Sequence, residues 1–237
     1  MQQLILELAP PPAPTFENFF PGANQAVLAA LQSGGGGMPG PGAWFLWGPA
    51  ASGKTHLLRA SAAAYGGAGT AARGTGARRH AAYCPYPFAE LSGLRDCGLL
   101  AVDDVERLDR VAQLALFDLF NIIIASGGSV VTAANRPPDD LPLREDLRTR
   151  LASGPGFQLR ALGDAEKAAA LLHHARARGM NLSEEMVAYL LARVARDLGT
   201  QFTLLDALDR LSLRLKRPVT MPLLREALRS LEGRGEG

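Results

Sequence analysis

Apolar residues follow two different patterns along this chain. Up to about residue 162 they come as short unbroken runs: residues 44–47 (Trp-Phe-Leu-Trp), 81–84, 99–102 (Leu-Leu-Ala-Val), 129–134 and 157–162. Runs that do not alternate with polar residues suit parallel strands covered on both faces. Between them lie segments with helical spacing. Residues 23–32 place Leu28 and Leu31 on one face. Residues 54–65 follow a glycine-bearing turn, and residues 110–126 feed Leu114, Phe117 and the apolar stretch 119–124 inward. The succession of strand, helix, strand, strand, helix, strand, with a last strand at 157–162, predicts a doubly wound α/β domain.

Beyond Asp164 the pattern is all-helical. Asp164 is read as the cap of a helix over 164–178 that Gly179 stops. Ser183, with Glu185 and Met186, opens a second helix reaching Arg196. A third covers 200–215, and a fourth covers 221–231 after Pro218. This is a small helical bundle. Its glycine-rich tail past Leu231 is expected to fray. At the front, the prolines within 10–14 form an extended spacer behind a tail of residues 1–8. Glycines at 34–37 and within 66–76 mark loops. The expected boundaries are therefore 1–14, 15–162 and 163–237.

Composition narrows the function classes. Lys and Arg number 25 against 23 Asp and Glu, a net charge of +2. That balance does not suit a protein that holds nucleic acid by charge alone. Cys84 and Cys97 belong to no CxxC or Cys/His cluster, so buried reduced thiols of a cytoplasmic protein are expected. No apolar run approaches the roughly 20 residues of a membrane-spanning helix. The N-terminal apolar stretch carries Glu7, lacks a basic start and stops at prolines, unlike a secretory signal.

The segment Gly48-Pro49-Ala50-Ala51-Ser52-Gly53-Lys54-Thr55 matches the pattern G-x-x-x-x-G-K-[ST] in full, between a predicted strand and a predicted helix. In that context backbone N–H groups of the loop and of the helix start surround phosphate oxygens. Lys54 is expected on the β- and γ-phosphates of a bound ADP or ATP, and the Thr55 hydroxyl on Mg²⁺. About 50 residues on, the run 99–102 ends in Asp103 and Asp104. Asp103 is expected to hold Mg²⁺ directly or through water, and Asp104 to polarise an attacking water. Asn135 ends the run 129–134, at the strand end where open α/β sheets bind ligands. By itself it reads as the opening of a turn before Arg136-Pro137-Pro138; with the other two elements it reads as a sensor of the γ-phosphate. Arg150 is either a surface arginine or one that reaches a neighbour's triphosphate, and sequence spacing does not decide between them.

These elements together resemble the DnaA-related AAA+ family, over residues 15–231. The opening Thr15-Phe16-Glu17-Asn18-Phe19-Phe20-Pro21-Gly22 looks like that family's lead-in segment near adenine. Gly53-Lys54-Thr55-His56-Leu57-Leu58 looks like its P-loop helix, so His56 joins the expected nucleotide-binding residues. Asn135-Arg136-Pro137-Pro138 resembles its sensor 1 turn, residues 147–151 its arginine-finger segment, with Arg148 and Arg150 both candidates, and residues 219–231 its last lid helix. The resemblance implies an AAA+ P-loop base domain of parallel sheet and a small all-helical lid. No helix-turn-helix region follows the lid pattern, and residues 87–98 are too few for the helical insertion that touches single-stranded DNA in the initiator. A dedicated DNA-binding domain is therefore not expected, nor a membrane association.

The remainder is similar to the Hda branch of that family. There a short N-terminal motif of the form Gln-Leu-x-Leu-x-Leu engages the DNA polymerase sliding clamp. This chain has Gln3-Leu4-Ile5-Leu6-Glu7-Leu8 in the corresponding place. An extended peptide of this kind lays alternate apolar side chains into a groove while Gln3 makes polar contacts. The resemblance implies a regulator of replication initiation, recruited by the clamp, whose Arg150 stimulates hydrolysis of DnaA-bound ATP. Its own nucleotide would set its conformation or its assembly into a homo-oligomer. One departure stands out: Gly199 occupies the place of the family's sensor 2 arginine. The loss of a cation near the γ-phosphate implies weak or absent intrinsic ATPase activity. The alternative is an autonomous AAA+ ATPase such as a helicase loader, which would need DNA stimulation and productive use of Asp104. Deleting residues 1–8 is expected to abolish retention on immobilised sliding clamp while leaving the circular dichroism spectrum unchanged. Undiminished retention would remove the peptide's role.

Overall fold

In the computed structural model the described residues are 12–67, 80–88, 91–194 and 198–232. The tail peptide Gln3, Leu4, Ile5, Leu6, Glu7 and Leu8 lies outside them, as does Arg196. By contact density the chain divides into two compact units, one of them Ala13–Ala161 and the other containing everything from Leu162 onward.

The first unit is built on five parallel strands: β1 Gly42–Trp47, β2 His80–Cys84, β3 Cys97–Val102, β4 Ser129–Ala134 and β5 Gly156–Gln158. They lie in the order β2-β3-β4-β1-β5. Every residue of β3 and of β4 is buried, which is why these two segments read as unbroken apolar runs. Side chains alternate across the pleat, so each strand serves two cores. On one face Phe45, Leu100, Val102 and Val130 pack with Leu116, Leu119, Phe120 and Ile123. The other face joins Leu46, Leu99, Ala101, Val131 and Ala133 to Val27, Leu31, Leu57 and Leu58. The helices behind these faces are α1 Gln25–Leu31, α2 Lys54–Gly67 and α3 Arg110–Ala125. Asp109 caps α3 by accepting the Ala112 N–H at 2.8 Å. Cys84 and Cys97 are buried, and burial pushes the Cys84 thiol up to about 11, which keeps it an inert, protonated packing group.

Two features differ from the expectation. The last strand is three residues long rather than spanning 157–162. Only Gly156, Phe157 and Gln158 pair with β1, opposite Phe45, Leu46 and Trp47. Past them, the Asn24 side chain takes over the backbone: its Oδ1 accepts the Arg160 N–H at 2.8 Å and its Nδ2 donates to the Arg160 carbonyl at 2.9 Å. A buried carboxamide thus replaces a neighbouring strand. The second difference is a short helix, α4 Glu145–Leu151, in a segment read only as a finger. Leu147 and Leu151, one turn apart, are its buried face.

The second unit has four helices among the described residues: α5 Asp164–Ala177, α6 Glu184–Arg193, α7 Leu198–Leu215 and α8 Met221–Glu232. Leu171, Val187, Leu190, Leu204, Leu208, Leu224 and Ala227 meet in one core. Ser183 caps α6 as expected, accepting the Met186 N–H at 3.3 Å. Asp164 does not cap α5. The cap is Gly163, whose N–H reaches back to the Glu166 carboxylate at 2.8 Å, and Asp164 is the first helical residue. Gly179, at φ +72, ends the segment, with the Met180 N–H returned to Ala175. Asp206 ties α5 to α7 by accepting from His174 Nε2 and from Arg178 Nε, each at 2.7 Å. No helix of the described residues is long and apolar enough to cross a membrane. Replacing the fully buried Leu116 by Ala is expected to destabilise the α/β unit by about 2–5 kcal/mol, read from the midpoint of urea unfolding.

Candidate functional site

The site lies at the carboxyl ends of β1, β3 and β4. After Trp47, the Gly48 N–H donates to the Ala134 carbonyl at 3.2 Å, which anchors the start of the loop to β4. A Cβ at Gly48 would stand 2.3 Å from the Leu159 carbonyl oxygen, so a side chain there has no room. Gly53 turns the chain into α2 at φ +96, and a Cβ on it would meet the Phe19 ring at 2.6 Å. Pro49, Ala50 and Ala51 are exposed along the rim. Ser52 is buried, and its hydroxyl oxygen has no hydrogen-bond partner. A buried hydroxyl without a partner costs on the order of 1–3 kcal/mol, and an anion in the loop would satisfy it.

Lys54 is nine-tenths buried and folds back over the loop, donating from Nζ to the carbonyls of Gly48 at 2.8 Å and Pro49 at 2.9 Å. Burial lowers its pKa; the charges of Asp103, Glu106 and Asp104 oppose that shift. Thr55, on the first turn of α2, donates its hydroxyl to Asp103 Oδ2 at 2.5 Å. The same oxygen accepts the Tyr83 hydroxyl at 3.1 Å, and the Asp104 N–H donates to Asp103 Oδ1 at 3.1 Å. Asp103 is buried at the end of β3. A hydroxyl and a carboxylate meeting beside a buried lysine are the hard oxygen donors that suit Mg²⁺. Bare amides, the Ser52 hydroxyl and the Lys54 ammonium suit the phosphates it would accompany. The residues therefore fit a magnesium nucleotide.

Of the other expected residues, His56 turns to the lead-in segment: its Nε2 lies 2.9 Å from the Thr15 carbonyl and its ring 5.3 Å from that of Phe19. Burial lowers its pKa, which keeps the ring neutral. Asp104 leaves β3 in a left-handed conformation, φ +47, and its carboxylate faces Arg107 at 3.9 Å. Asn135 is exposed just past β4, and its N–H donates to Glu106 Oε1 at 3.2 Å. Arg150 is exposed on α4, its guanidinium 6.0 Å from the Phe117 ring centroid. No contact among the described residues joins it to the loop, and neither it nor Arg148 makes an ion pair among them.

The pattern reading missed Tyr83 and Glu106, and it placed Phe19 in the lead-in segment without its contact to the loop. Tyr83 lies on β2, opposite Ala101 of the neighbouring strand, and Arg59 stacks on its ring at 4.9 Å. Phe19 fills the space beside Gly53, and Glu106 bridges the ends of β3 and β4. Contacts between segments far apart in the chain assemble all three, so no local spacing could have shown them.

A family model described as the Hda lid domain matches residues 164–228. Domain III of the Thermotoga maritima replication initiation protein DnaA is 20% identical, with 94% of this chain and 98% of that one aligned at a TM-score of 0.64. AMPPCP-bound DnaA from Aquifex aeolicus is 21% identical over 86% of this chain and 69% of its own, at 0.59. A Thermotoga maritima RuvB variant is 15% identical over 94% and 74%, at 0.61. The chain thus shares its fold with DnaA domain III and carries, over residues 164–228, a lid that matches the Hda lid domain.

Proposed function

We propose that this protein is a nucleotide-controlled regulator of DNA replication initiation, which binds Mg²⁺ with ADP or ATP in its loop and acts on the ATPase of a partner, DnaA. The observation that carries the nucleotide part is the meeting of Thr55 and Asp103 at 2.5 Å beside a buried lysine and an unsatisfied buried hydroxyl, Ser52. The Hda-type lid over residues 164–228 and the DnaA-like fold support the replication part; one DnaA of that fold is bound to AMPPCP and single-stranded DNA.

In this reading Lys54 releases the Gly48 and Pro49 carbonyls and turns its ammonium to the phosphates. The loop amides and Ser52 hold the phosphate oxygens, and Thr55 and Asp103 hold the metal, which supplies charge neutralisation. Tyr83 keeps the Asp103 carboxylate oriented by its hydrogen bond to Oδ2. His56 and Phe19 pin the lead-in segment beside the loop. Asp104, whose carboxylate faces Arg107 at 3.9 Å, would polarise an attacking water, and weak intrinsic turnover is expected from Gly199 in the place of an arginine. Arg150, exposed on a helix anchored by Leu147 and Leu151, is presented to a neighbour, where a guanidinium can stabilise transition-state charge. Gln3 to Leu8 would hold the protein to the sliding clamp and so confine its action to replicating DNA.

Lys54→Ala is expected to weaken ADP binding at least ~10-fold, through loss of a charge-assisted contact. Titration with a fluorescent ADP analogue measures it, and unchanged affinity would refute the loop's role. Arg150→Ala should leave that affinity intact but cut stimulation of DnaA–ATP hydrolysis, with clamp loaded on DNA, by about 10³-fold. Equal stimulation by wild type and variant would remove the finger assignment.

A further inference from the structure

Past Asp103 the chain makes two sharp changes of direction. Asp104 adopts the left-handed conformation at φ +47 and sends its half-exposed carboxylate out to Arg107. The single turn Val105–Arg107 then brings Glu106 back over the end of β4. There Oε1 accepts the Asn135 N–H at 3.2 Å, while Oε2 is buried and has no hydrogen-bond partner. Asn135 directly follows Ala134, whose carbonyl accepts the Gly48 N–H at 3.2 Å. One peptide unit of β4 therefore separates the anchor of Glu106 from the first residue of the phosphate loop.

This places a carboxylate with one unpartnered oxygen at the loop. Glu106 makes no salt bridge among the described residues. Asp103, which is buried, has two hydroxyls on Oδ2 and an N–H on Oδ1, but one oxygen of the partly buried Glu106 has nothing. The Glu106 charge nonetheless acts on Lys54, after that of Asp103 and before that of Asp104. Lys54 is the cation that a P-loop turns to the β- and γ-phosphates. A fixed anion in its field offsets part of the attraction it can offer, and the more so the more negative charge the ligand brings.

We infer that Glu106 is a specificity-determining residue of this site, whose carboxylate biases it toward a nucleoside diphosphate and against the triphosphate. The inference rests on the nucleotide reading above and deepens it. The absence of an arginine at Gly199 bears on the same preference from a different element; Glu106 adds a repulsive group rather than removing an attractive one. Between unit charges near a protein surface and several ångströms apart, such an interaction changes an equilibrium by about tenfold.

Glu106→Gln separates charge from scaffold. Glutamine keeps an acceptor for the Asn135 N–H and loses the charge, whereas Glu106→Ala loses both. Dissociation constants for ADP and for a non-hydrolysable ATP analogue, each with Mg²⁺, are measured by calorimetry on the full chain, with circular dichroism as a check on folding. Wild type is expected to hold ADP more tightly. Glu106→Gln should reduce the ratio of the ATP-analogue constant to the ADP constant by about tenfold while moving ADP affinity less than about twofold. An unchanged ratio overturns the role of Glu106 alone. Equal weakening of both ligands in both variants overturns it too, leaving Glu106 as a brace for Asn135. Binding of neither nucleotide by wild type overturns the underlying nucleotide reading, and this inference with it.

Discussion

The hydrogen bond from Thr55 to Asp103 joins two points 48 residues apart, and the rest of the site is organised around it. It exists because β1, β3 and β4 run parallel and in register, so that their carboxyl ends open on the same side of the sheet. The loop that leaves β1 must return as α2, and the first turn of that helix comes to rest at the end of β3. A shift of one residue in β3 would turn Asp103 to the opposite face. Complete burial of β3 and β4 on both faces prevents that shift, because it would exchange residues between two cores that are already filled.

Polar groups at this edge are disposed by what they can reach, and the three acids that follow β3 illustrate it. Asp103 is buried and held by three donors. Asp104 faces Arg107 near solvent, and Glu106 reaches β4 with one oxygen and leaves the other without a partner. The same composition in a different backbone path would give different chemistry. The left-handed residue at Asp104 separates their directions.

In the helical unit, polar contacts have a different task. Asp206 accepts from His174 and Arg178, and Phe202 stacks on the His174 ring at 4.2 Å. The aspartate and phenylalanine lie one turn apart on α7, so one face of that helix carries both the ion-pairing and the stacking partner for α5. Leu204, Leu208 and Leu211, on another face, supply the apolar core. Helical periodicity thus sorts the partners of this unit onto separate faces of α7.

The sequence by itself determined what depends on neighbours along the chain. The unbroken runs at 99–102 and 129–134 could be strands only if covered on both sides, Ser183 could cap only the helix after it, and the loop from Gly48 to Thr55 carried its own spacing. What the tertiary structure alone decided depends on neighbours across the sheet. Asn24 ends β5 by capturing Arg160, 136 residues away, which made the last strand shorter than its apolar run. Tyr83 and Glu106 join the site because β2, β3 and β4 are neighbours in the sheet, and one left-handed dihedral sets the direction of Asp104. Local pattern reports burial and periodicity; the side chains that meet at a strand end are set by the order of strands, which leaves no trace in the spacing of residues.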